Sequence, residues 1–221
     1  MNDQGFSINE GVFSCHEIEK LIEVLAQLPQ RRGRAGTRHL MASASVAEVA
    51  SARSLIEIAG DALRTLAVPF RVTLFEKTAV ANWLVVWHQD TALPLSCGNN
   101  SSEWGPWSNK DGVIYAHAPS WALSRIVALR VHLDASTKEN GPLRVIPGSH
   151  AEGVLTDEKV FAVAREQEPV DCLVPRGGVL AMRPLLIHSS SKSENDAPRR
   201  VLHIEYADSL DLDEGIQLAV A

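Results

Sequence analysis

The sequence predicts an α+β fold that is mainly β, with helices at the start of the chain and a double-sheet jelly roll after them. Apolar residues recur at helical spacing in the first part of the chain, and after Pro69 the pattern changes to about eight short β-rich runs. Turn residues separate most of these runs, for example the Asn-Gly-Pro at 140–142 and the Pro-Arg-Gly-Gly at 175–178. Helices followed by a series of strands indicate an α+β domain built on a jelly roll.

Two helices are predicted before Pro69. Ser14 and Glu17 form a capping-box pattern at the start of an amphipathic helix through EIEKLIEVLAQL, which ends near Pro29. A second helix is predicted roughly over 46–66, with an apolar stripe formed by Ile56, Ile58, Ala62, Leu63 and Leu66. We expect one domain over 1–221, divided into helical support at 1–68, a jelly-roll core at 69–207 and a C-terminal tail at 208–221.

Composition and charge exclude several classes of partner. The net charge of −6 argues against nucleic acid, because nucleic-acid-binding surfaces usually carry a basic patch. The first residues lack a signal-peptide pattern, and no apolar run approaches membrane-spanning length, so no membrane partner is expected. Cys15, Cys97 and Cys172 form no CxxC pair, and their odd number favours reduced thiols and a cytoplasmic location. The oligomeric state does not follow from the sequence.

His88, Asp90 and His188 are candidate metal ligands. Side chains alternate along a strand, so His88 and Asp90 of VVWHQD lie on one face while Gln89 points away. Another histidine, His188, follows about a hundred residues later in RPLLIHSSS. Two histidines and one carboxylate form a facial triad that suits Fe(II) and leaves three positions open for O2 and substrates. The pattern predicts a metal-dependent oxygenase, although each histidine taken alone has the alternative of a hydrogen-bonded core residue.

These motifs together resemble the phytanoyl-CoA dioxygenase family of Fe(II)- and 2-oxoglutarate-dependent oxygenases. The similarity runs from FEKT through WHQD, NGPLRVIPGSH, PRGGVLAMRPLLIHSSS and RRVLHIEY. It implies a double-stranded β-helix, which is a cupin-like jelly roll, with Fe(II), 2-oxoglutarate and O2 as cofactor and cosubstrates. It also implies hydroxylation of a small-molecule substrate with release of succinate and CO2, with His88, Asp90 and His188 matching the iron ligands.

The resemblance also assigns residues to 2-oxoglutarate. Arg199 matches the arginine that binds the distal carboxylate, and Ser190 matches the serine two positions after the distal histidine. Arg200 is the competitor of Arg199, but neighbouring strand residues point to opposite faces and the eleven-residue spacing from His188 favours Arg199. Lys77 lies where the family often has a lysine, and its alternative is a surface position on the strand.

The resemblance does not identify the primary substrate or the residues that contact the keto-acid end of 2-oxoglutarate. Val85 stands where ectoine hydroxylases have an aromatic residue, and Phe75 stands where they have an asparagine. The segment from 91 to 111 has no periodicity, and its two tryptophans, Trp104 and Trp107, are candidates for a substrate lid. Their alternative is permanent packing on the sheet. Gln89 is a further candidate for substrate binding.

Two other functions fit parts of the pattern. A cupin-like metalloenzyme that does not use 2-oxoglutarate would bring three or more histidines to the metal and would not need Arg199. A small-molecule-binding jelly roll without catalysis would keep the fold but not require the triad.

Overall fold

The computed structural model describes residues 3–28, 36–78, 81–98, 101–213 and 215–221. The helices are α1 (Cys15–Gln27), α2 (Ala44–Ala50), α3 (Arg53–Leu63), α4 (Ser120–Ser124) and α5 (Asp157–Glu166). The strands are β1 (Phe6–Asn9), β2 (Val68–Lys77), β3 (Val85–His88), β4 (Ala92–Leu95), β5 (Trp107–Lys110), β6 (Val113–His117), β7 (Ile126–His132), β8 (Leu143–Val145), β9 (Val170–Cys172), β10 (Val179–Met182), β11 (His188–Ser190), β12 (Arg199–Ala207), β13 (Asp211–Asp213) and β14 (Ile216–Gln217).

Two antiparallel sheets form the jelly roll. The major sheet has the strand order β1-β10-β7-β12-β2, and the minor sheet has the order β3-β11-β8-β9. Apolar side chains from both sheets meet in one buried cluster, which includes Ala128, Leu180 and Met182 of the major sheet and Leu143 and Val145 of the minor sheet. The predicted double-sheet core is therefore confirmed.

The N-terminal helices pack on the outer face of the major sheet. Leu21 of α1 and Leu55 of α3 are buried in the same cluster as Leu202 and Tyr206 of β12. The Tyr206 hydroxyl also donates a hydrogen bond of 2.8 Å to the Ala50 carbonyl at the end of α2. Because alternate residues of β12 face the helices, the residues between them face the barrel interior.

The predicted helix over 46–66 is two helices. Ala52 has an extended backbone (φ −58°, ψ 136°), so α2 ends before it and α3 begins at Arg53. This break changes which residues face the sheet: Leu55, Ala59 and Ala62 are buried, whereas Leu66 is 81% exposed. The capping box of Ser14 and Glu17 at the start of α1 is confirmed.

The two ends of the chain also carry strands. Within 1–68, β1 pairs with β10 and extends the major sheet, so this segment is not only helical. Within 208–221, β13 pairs with β14, and the Ala221 carbonyl accepts a hydrogen bond of 3.0 Å from the backbone N–H of Val72.

The segment from 91 to 111 forms much of a third sheet rather than an irregular loop. Strands β4 and β5 pair with opposite sides of β6. Strand β5 (WSNK) is largely exposed, so it shows none of the alternation that predicts a strand. Strand β4 contains Pro94 and lies at the edge of this sheet, where a missing N–H is tolerated. Asn99 and Asn100 lie outside the described residues.

Within the described ranges, no helix has the length and apolar character needed to cross a membrane.

Candidate metal centre and cosubstrate site

The two predicted histidine ligands lie opposite each other on neighbouring strands of the minor sheet. His88 ends β3, His188 begins β11, and the two are paired in the antiparallel register. Their ring centroids are 4.1 Å apart. Asp90 follows two residues after His88, and its backbone N–H donates to the Pro184 carbonyl at 2.9 Å. Strand pairing therefore brings together ligands that are a hundred residues apart in the chain.

The three side chains converge with suitable geometry. His188 Nε2 lies 3.5 Å from Asp90 Oδ2, and His88 Nε2 lies 3.7 Å from Asp90 Oδ1. One ligand atom from each residue lies within 4.8 Å of the others. Two histidine nitrogens and one carboxylate oxygen at this mutual distance fit a facial Fe(II) site.

Backbone carbonyls fix the orientation of both rings. His88 Nδ1 is 2.8 Å from the Val86 carbonyl, and His188 Nδ1 is 2.8 Å from the Leu186 carbonyl. A carbonyl only accepts, so each Nδ1 carries the proton and each Nε2 presents its lone pair to the metal position. Such outer hydrogen bonds commonly orient metal-binding histidines.

Charge in the triad also suits a divalent cation. Burial alone raises the pKa of Asp90, but the neighbouring His188 and His88 lower this pKa well below its usual range. Burial, and then the proximity of His88, lowers the pKa of His188. At neutral pH Asp90 is therefore anionic and His188 is neutral, which are the states that bind metal.

A second polar cluster lies two residues further along β11. Ser190 Oγ accepts hydrogen bonds from Lys77 Nζ at 2.7 Å and from Arg199 Nη2 at 3.1 Å. Arg199 Nε donates to the Asn140 carbonyl at 3.2 Å, while Arg199 Nη1 is buried without a partner. Lys77 is 2% exposed, so the alternative of a surface lysine is wrong.

The turn after β7 supports this cluster. The Gly141 carbonyl accepts a hydrogen bond of 2.8 Å from Ser190 Oγ, which leaves that oxygen free to accept from the two cations. Gly141 has a φ of 65°, and a Cβ there would lie 2.3 Å from the Ser191 carbonyl oxygen. Only glycine fits this position without displacement, because both the conformation and the close approach exclude a side chain.

Three buried cations share this part of the barrel. They are Lys77, Arg199 and Arg130 of β7, and Arg130 lies over the Phe75 ring, 5.4 Å from its centroid. Burial, together with the charges of Arg199 and Arg130, lowers the pKa of Lys77 to about 7. Burial and Arg130 lower the pKa of Arg199 to about 9. Among the described residues no carboxylate lies within 4.0 Å of these cations. Buried charge without a counter-charge is costly, so the cluster fits a bound anion.

The competing arginine faces the other way. Arg200 donates from Nε and Nη2 to the two carboxylate oxygens of Asp134, each at 2.8 Å. Its guanidinium is therefore already paired in the two-pronged geometry that carboxylates favour. The geometry favours Arg199 over Arg200 as the ligand of an external carboxylate.

The side chains of Gln89 and Trp104 are both held by contacts within the protein. The Gln89 amide donates to the Gly153 and Leu185 carbonyls at 2.9 and 2.8 Å and accepts from the Leu155 N–H at 2.9 Å. It therefore holds backbone segments together, although the residue also lies at the cavity wall. Trp104 is 4% exposed and packs in an apolar cluster.

Trp107 is 38% exposed at the start of β5 and is absent from the cavity wall beside Asp90. The structure therefore corrects the expectation that the two tryptophans form a substrate lid. Trp104 is a core residue, and Trp107 lies on the outer surface.

A cavity of about 300 Å³ opens beside the triad. Its wall combines interior residues of the major sheet with residues of the third sheet, and it consists of Arg38, Arg71, Thr73, Phe75, Gln89, Asp90, Thr91, Ala92, Lys110, Tyr115, His117 and His203. Sequence reasoning missed most of these residues, because no motif connects the separate segments that supply them.

Comparisons with known proteins agree with the site. The sequence model of the phytanoyl-CoA dioxygenase (PhyH) family matches residues 1–201. The chain belongs to the phytanoyl-CoA dioxygenase family. It is therefore placed among the 2-oxoglutarate-dependent dioxygenases, and the family predicted from the motifs is confirmed.

Individual proteins that are similar to this chain share limited sequence identity with it. L-proline trans-4-hydroxylase from Streptomyces griseoviridis is 25% identical, over 92% of this chain and 69% of that protein. The structure of AviO1 from Streptomyces viridochromogenes Tue57 superposes with a TM-score of 0.65 at 22% identity, covering 98% of this chain and 93% of AviO1. EctD from S. alaskensis, solved with 2-oxoglutarate and 5-hydroxyectoine, gives 0.68 at 21% identity, covering 93% and 72% of the two chains. The two superpositions show that AviO1 and EctD share the fold of this chain.

Proposed function

We propose that the protein is an Fe(II)- and 2-oxoglutarate-dependent dioxygenase that hydroxylates a small-molecule substrate. One observation carries the proposal: a two-histidine, one-carboxylate triad and a buried cation pair, which has no carboxylate partner among the described residues, lie at opposite ends of one short strand, β11. A metal triad alone fits many enzymes. A triad beside buried cations fits a dicarboxylic acid that binds the metal at one end and the cations at the other.

In this proposal each residue near the metal has a binding or positioning role. His88, Asp90 and His188 hold Fe(II), which when bound supplies the redox chemistry that activates O2. Arg199, through its free Nη1 edge, and Lys77 bind the distal carboxylate of 2-oxoglutarate, and Ser190 fixes the two cations relative to each other. Their burial excludes water from this end of the cosubstrate, which strengthens each charge-assisted hydrogen bond.

The overall reaction balances without a further oxidant. One oxygen atom of O2 enters the substrate as a hydroxyl group, and the other enters succinate. 2-Oxoglutarate loses its C1 carboxylate as CO2 and is oxidised by two electrons, and the substrate C–H bond supplies the other two.

Neither alternative function explains the buried Lys77 and Arg199. A cupin-like enzyme without 2-oxoglutarate would not need them, and neither would a jelly roll that only binds small molecules. The small-molecule substrate and the cytoplasmic location remain predictions.

The test is anaerobic addition of Fe(II) and then 2-oxoglutarate, followed by the visible charge-transfer band of the ternary complex. We expect a band in the wild-type protein, its loss in His188→Ala, and its retention in His16→Ala, which replaces an exposed histidine of α1. Oxygen should then produce succinate. A wild-type protein that binds Fe(II) but gives neither the band nor succinate would contradict the proposal.

A further inference from the structure

The cavity beside the metal ligands carries its own positive charge, separate from the cluster around Arg199. Arg38 and Lys110 both line the cavity that Asp90 also lines. In the part of the chain that the structure describes, neither side chain forms an ion pair with a carboxylate within 4.0 Å. The two cations therefore face the cavity without a counter-charge of their own.

The other charges of the cavity are already balanced. Arg71 forms an ion pair with Glu205, whose side chain is 2% exposed, and donates to the Ala92 carbonyl at 3.0 Å. Asp90 is assigned to the metal, so its charge is offset there. What remains is a net positive potential at Arg38 and Lys110, and such a potential attracts and orients an anionic ligand.

Tyr115 holds Lys110 in place. Its side chain is 2% exposed, and its hydroxyl lies 3.0 Å from His39 Nε2, so the ring is fixed. Lys110 Nζ lies 4.4 Å from the centre of this ring, in the range of a cation–π contact. A lysine bound at a rigid aromatic face loses less conformational entropy on ligand binding than a free surface lysine.

The size and polarity of the cavity restrict the ligand further. A volume of about 300 Å³ is at the lower end for small-molecule sites. Thr73 and Lys110 present polar groups at the cavity wall, so a long apolar chain would leave them without a polar partner. A small polar metabolite fits, and a fatty acyl chain does not.

We propose that the primary substrate is a small acid whose anionic group, a carboxylate or a phosphate, is bound by Lys110 and Arg38. The proposal rests on the proposed function, because it places the rest of the substrate beside the metal ligands. It goes further by naming the charge of the substrate and the two residues that select it.

The test uses matched pairs of ligands that differ in charge: L-proline and L-prolinamide, L-pipecolate and its primary amide, and glycerol 3-phosphate and glycerol. Saturating 2-oxoglutarate keeps the Lys77 and Arg199 site filled. Binding is measured as the shift in melting temperature of the metal-free protein, which needs neither iron nor turnover. With Fe(II) and O2 present, succinate formation above the substrate-free rate gives a second readout.

We expect at least one acid to bind at least tenfold more tightly than its neutral partner. Lys110→Met and Arg38→Met should each reduce that preference at least threefold, and the double variant at least tenfold. Lys159→Met, which removes an exposed lysine of α5, should leave it unchanged. The pair that responds distinguishes a carboxylate from a phosphate.

Three results would overturn the inference: neutral partners that bind as well as the acids, no acid that responds, or an acid preference that survives in the double variant. The proposed function would stand in each case if the charge-transfer band and substrate-free succinate formation persist. Loss of the band in the wild-type protein would instead contradict the proposed function, while the melting-temperature arm still decides the charge of the ligand.

Discussion

Lys77 and Arg199 are direct cross-strand neighbours on β2 and β12, and their side chains are 2% and 5% exposed. Like charges directly opposite each other destabilise a sheet, and burial increases the cost because water no longer screens them. Ser190 Oγ accepts a hydrogen bond from each of them but carries no charge. The arrangement becomes favourable when an anion binds between the two cations.

Replacement of Arg199 tests this relationship directly. Arg199→Lys should weaken 2-oxoglutarate binding by roughly 10- to 100-fold, because a point charge replaces a planar donor and a charge-assisted hydrogen bond contributes about 1.5–3 kcal/mol. Arg200→Lys should change the affinity by less than about threefold, since that residue pairs with Asp134 on the other face. Titration with 2-oxoglutarate, followed by the charge-transfer band, measures both. The opposite ranking would mean that Arg200 is the ligand.

Lys77 predicts a pH dependence of cosubstrate binding. Without an anion, burial and the charges of Arg199 and Arg130 lower the pKa of Lys77 to about 7, so the ammonium is lost as the pH rises through that value. A bound carboxylate favours the ammonium, so binding takes up a proton and the affinity for 2-oxoglutarate falls as the pH rises above about 7. Lys77→Met should remove this dependence. Calorimetry in buffers of different ionisation enthalpy measures the proton uptake.

The same lysine predicts the direction of one contribution to stability. Its pKa is lower in the folded chain than the ordinary value of 10.5, so the unfolded chain binds more protons between about pH 7 and 10.5. Without ligand, this residue's contribution therefore makes folding more favourable as the pH rises through that window. The difference in unfolding free energy between wild type and Lys77→Met, measured across the window, shows the effect. A constant difference would contradict it.

Trp104 and Trp107 should differ in their effect on stability. Trp104→Ala removes a large buried side chain and should lower the free energy of unfolding by about 3–5 kcal/mol. Trp107→Ala changes a side chain that is 38% exposed, and we expect a loss below about 1 kcal/mol. Urea unfolding measures both variants. Equal small losses, together with uncoupled 2-oxoglutarate consumption in Trp104→Ala, would restore the lid interpretation.

The ion pair of Arg71 and Glu205 should stabilise the wall of the cavity. Glu205→Gln would leave the buried Arg71 without its counter-charge, at a cost of about 3–5 kcal/mol. Asp134→Asn removes the partner of the more exposed Arg200 and should cost about 1 kcal/mol or less. Thermal unfolding of the two variants makes the comparison. A smaller loss in Glu205→Gln than in Asp134→Asn would contradict the assigned roles.

The sequence predicts the metal centre better than it predicts the cavity. His88 and Asp90 are two residues apart on one strand, and a strand has only one way to present such a pair on the same face. Arg199 and Ser190 belong to recognisable motifs near His188. Arg38 and Lys110 have no such local relation, because they come from distant segments that meet only in the folded structure.

The local sequence pattern also fails to predict a strand or helix boundary that depends on contacts with neighbouring elements. Strand β5 is polar and exposed, so it exists through its pairing with β6 rather than through an apolar face. The break at Ala52 has no proline or glycine to signal it. The apolar spacing over 46–66 continues across the break. Packing against the major sheet, rather than this spacing, determines which residues are helical.

The position of β3 affects how well the protein resists association and proteolysis in the absence of iron. Among the strands that the structure describes, β3 lies at the edge of the minor sheet and pairs with β11 alone, and its Val86 is 54% exposed to solvent. An exposed edge strand with apolar side chains is a site for association with other chains and for proteolysis when it detaches. A metal ion held between His88 and His188 would fasten β3 to β11. Iron starvation would therefore shorten the lifetime of the protein as well as stop its chemistry.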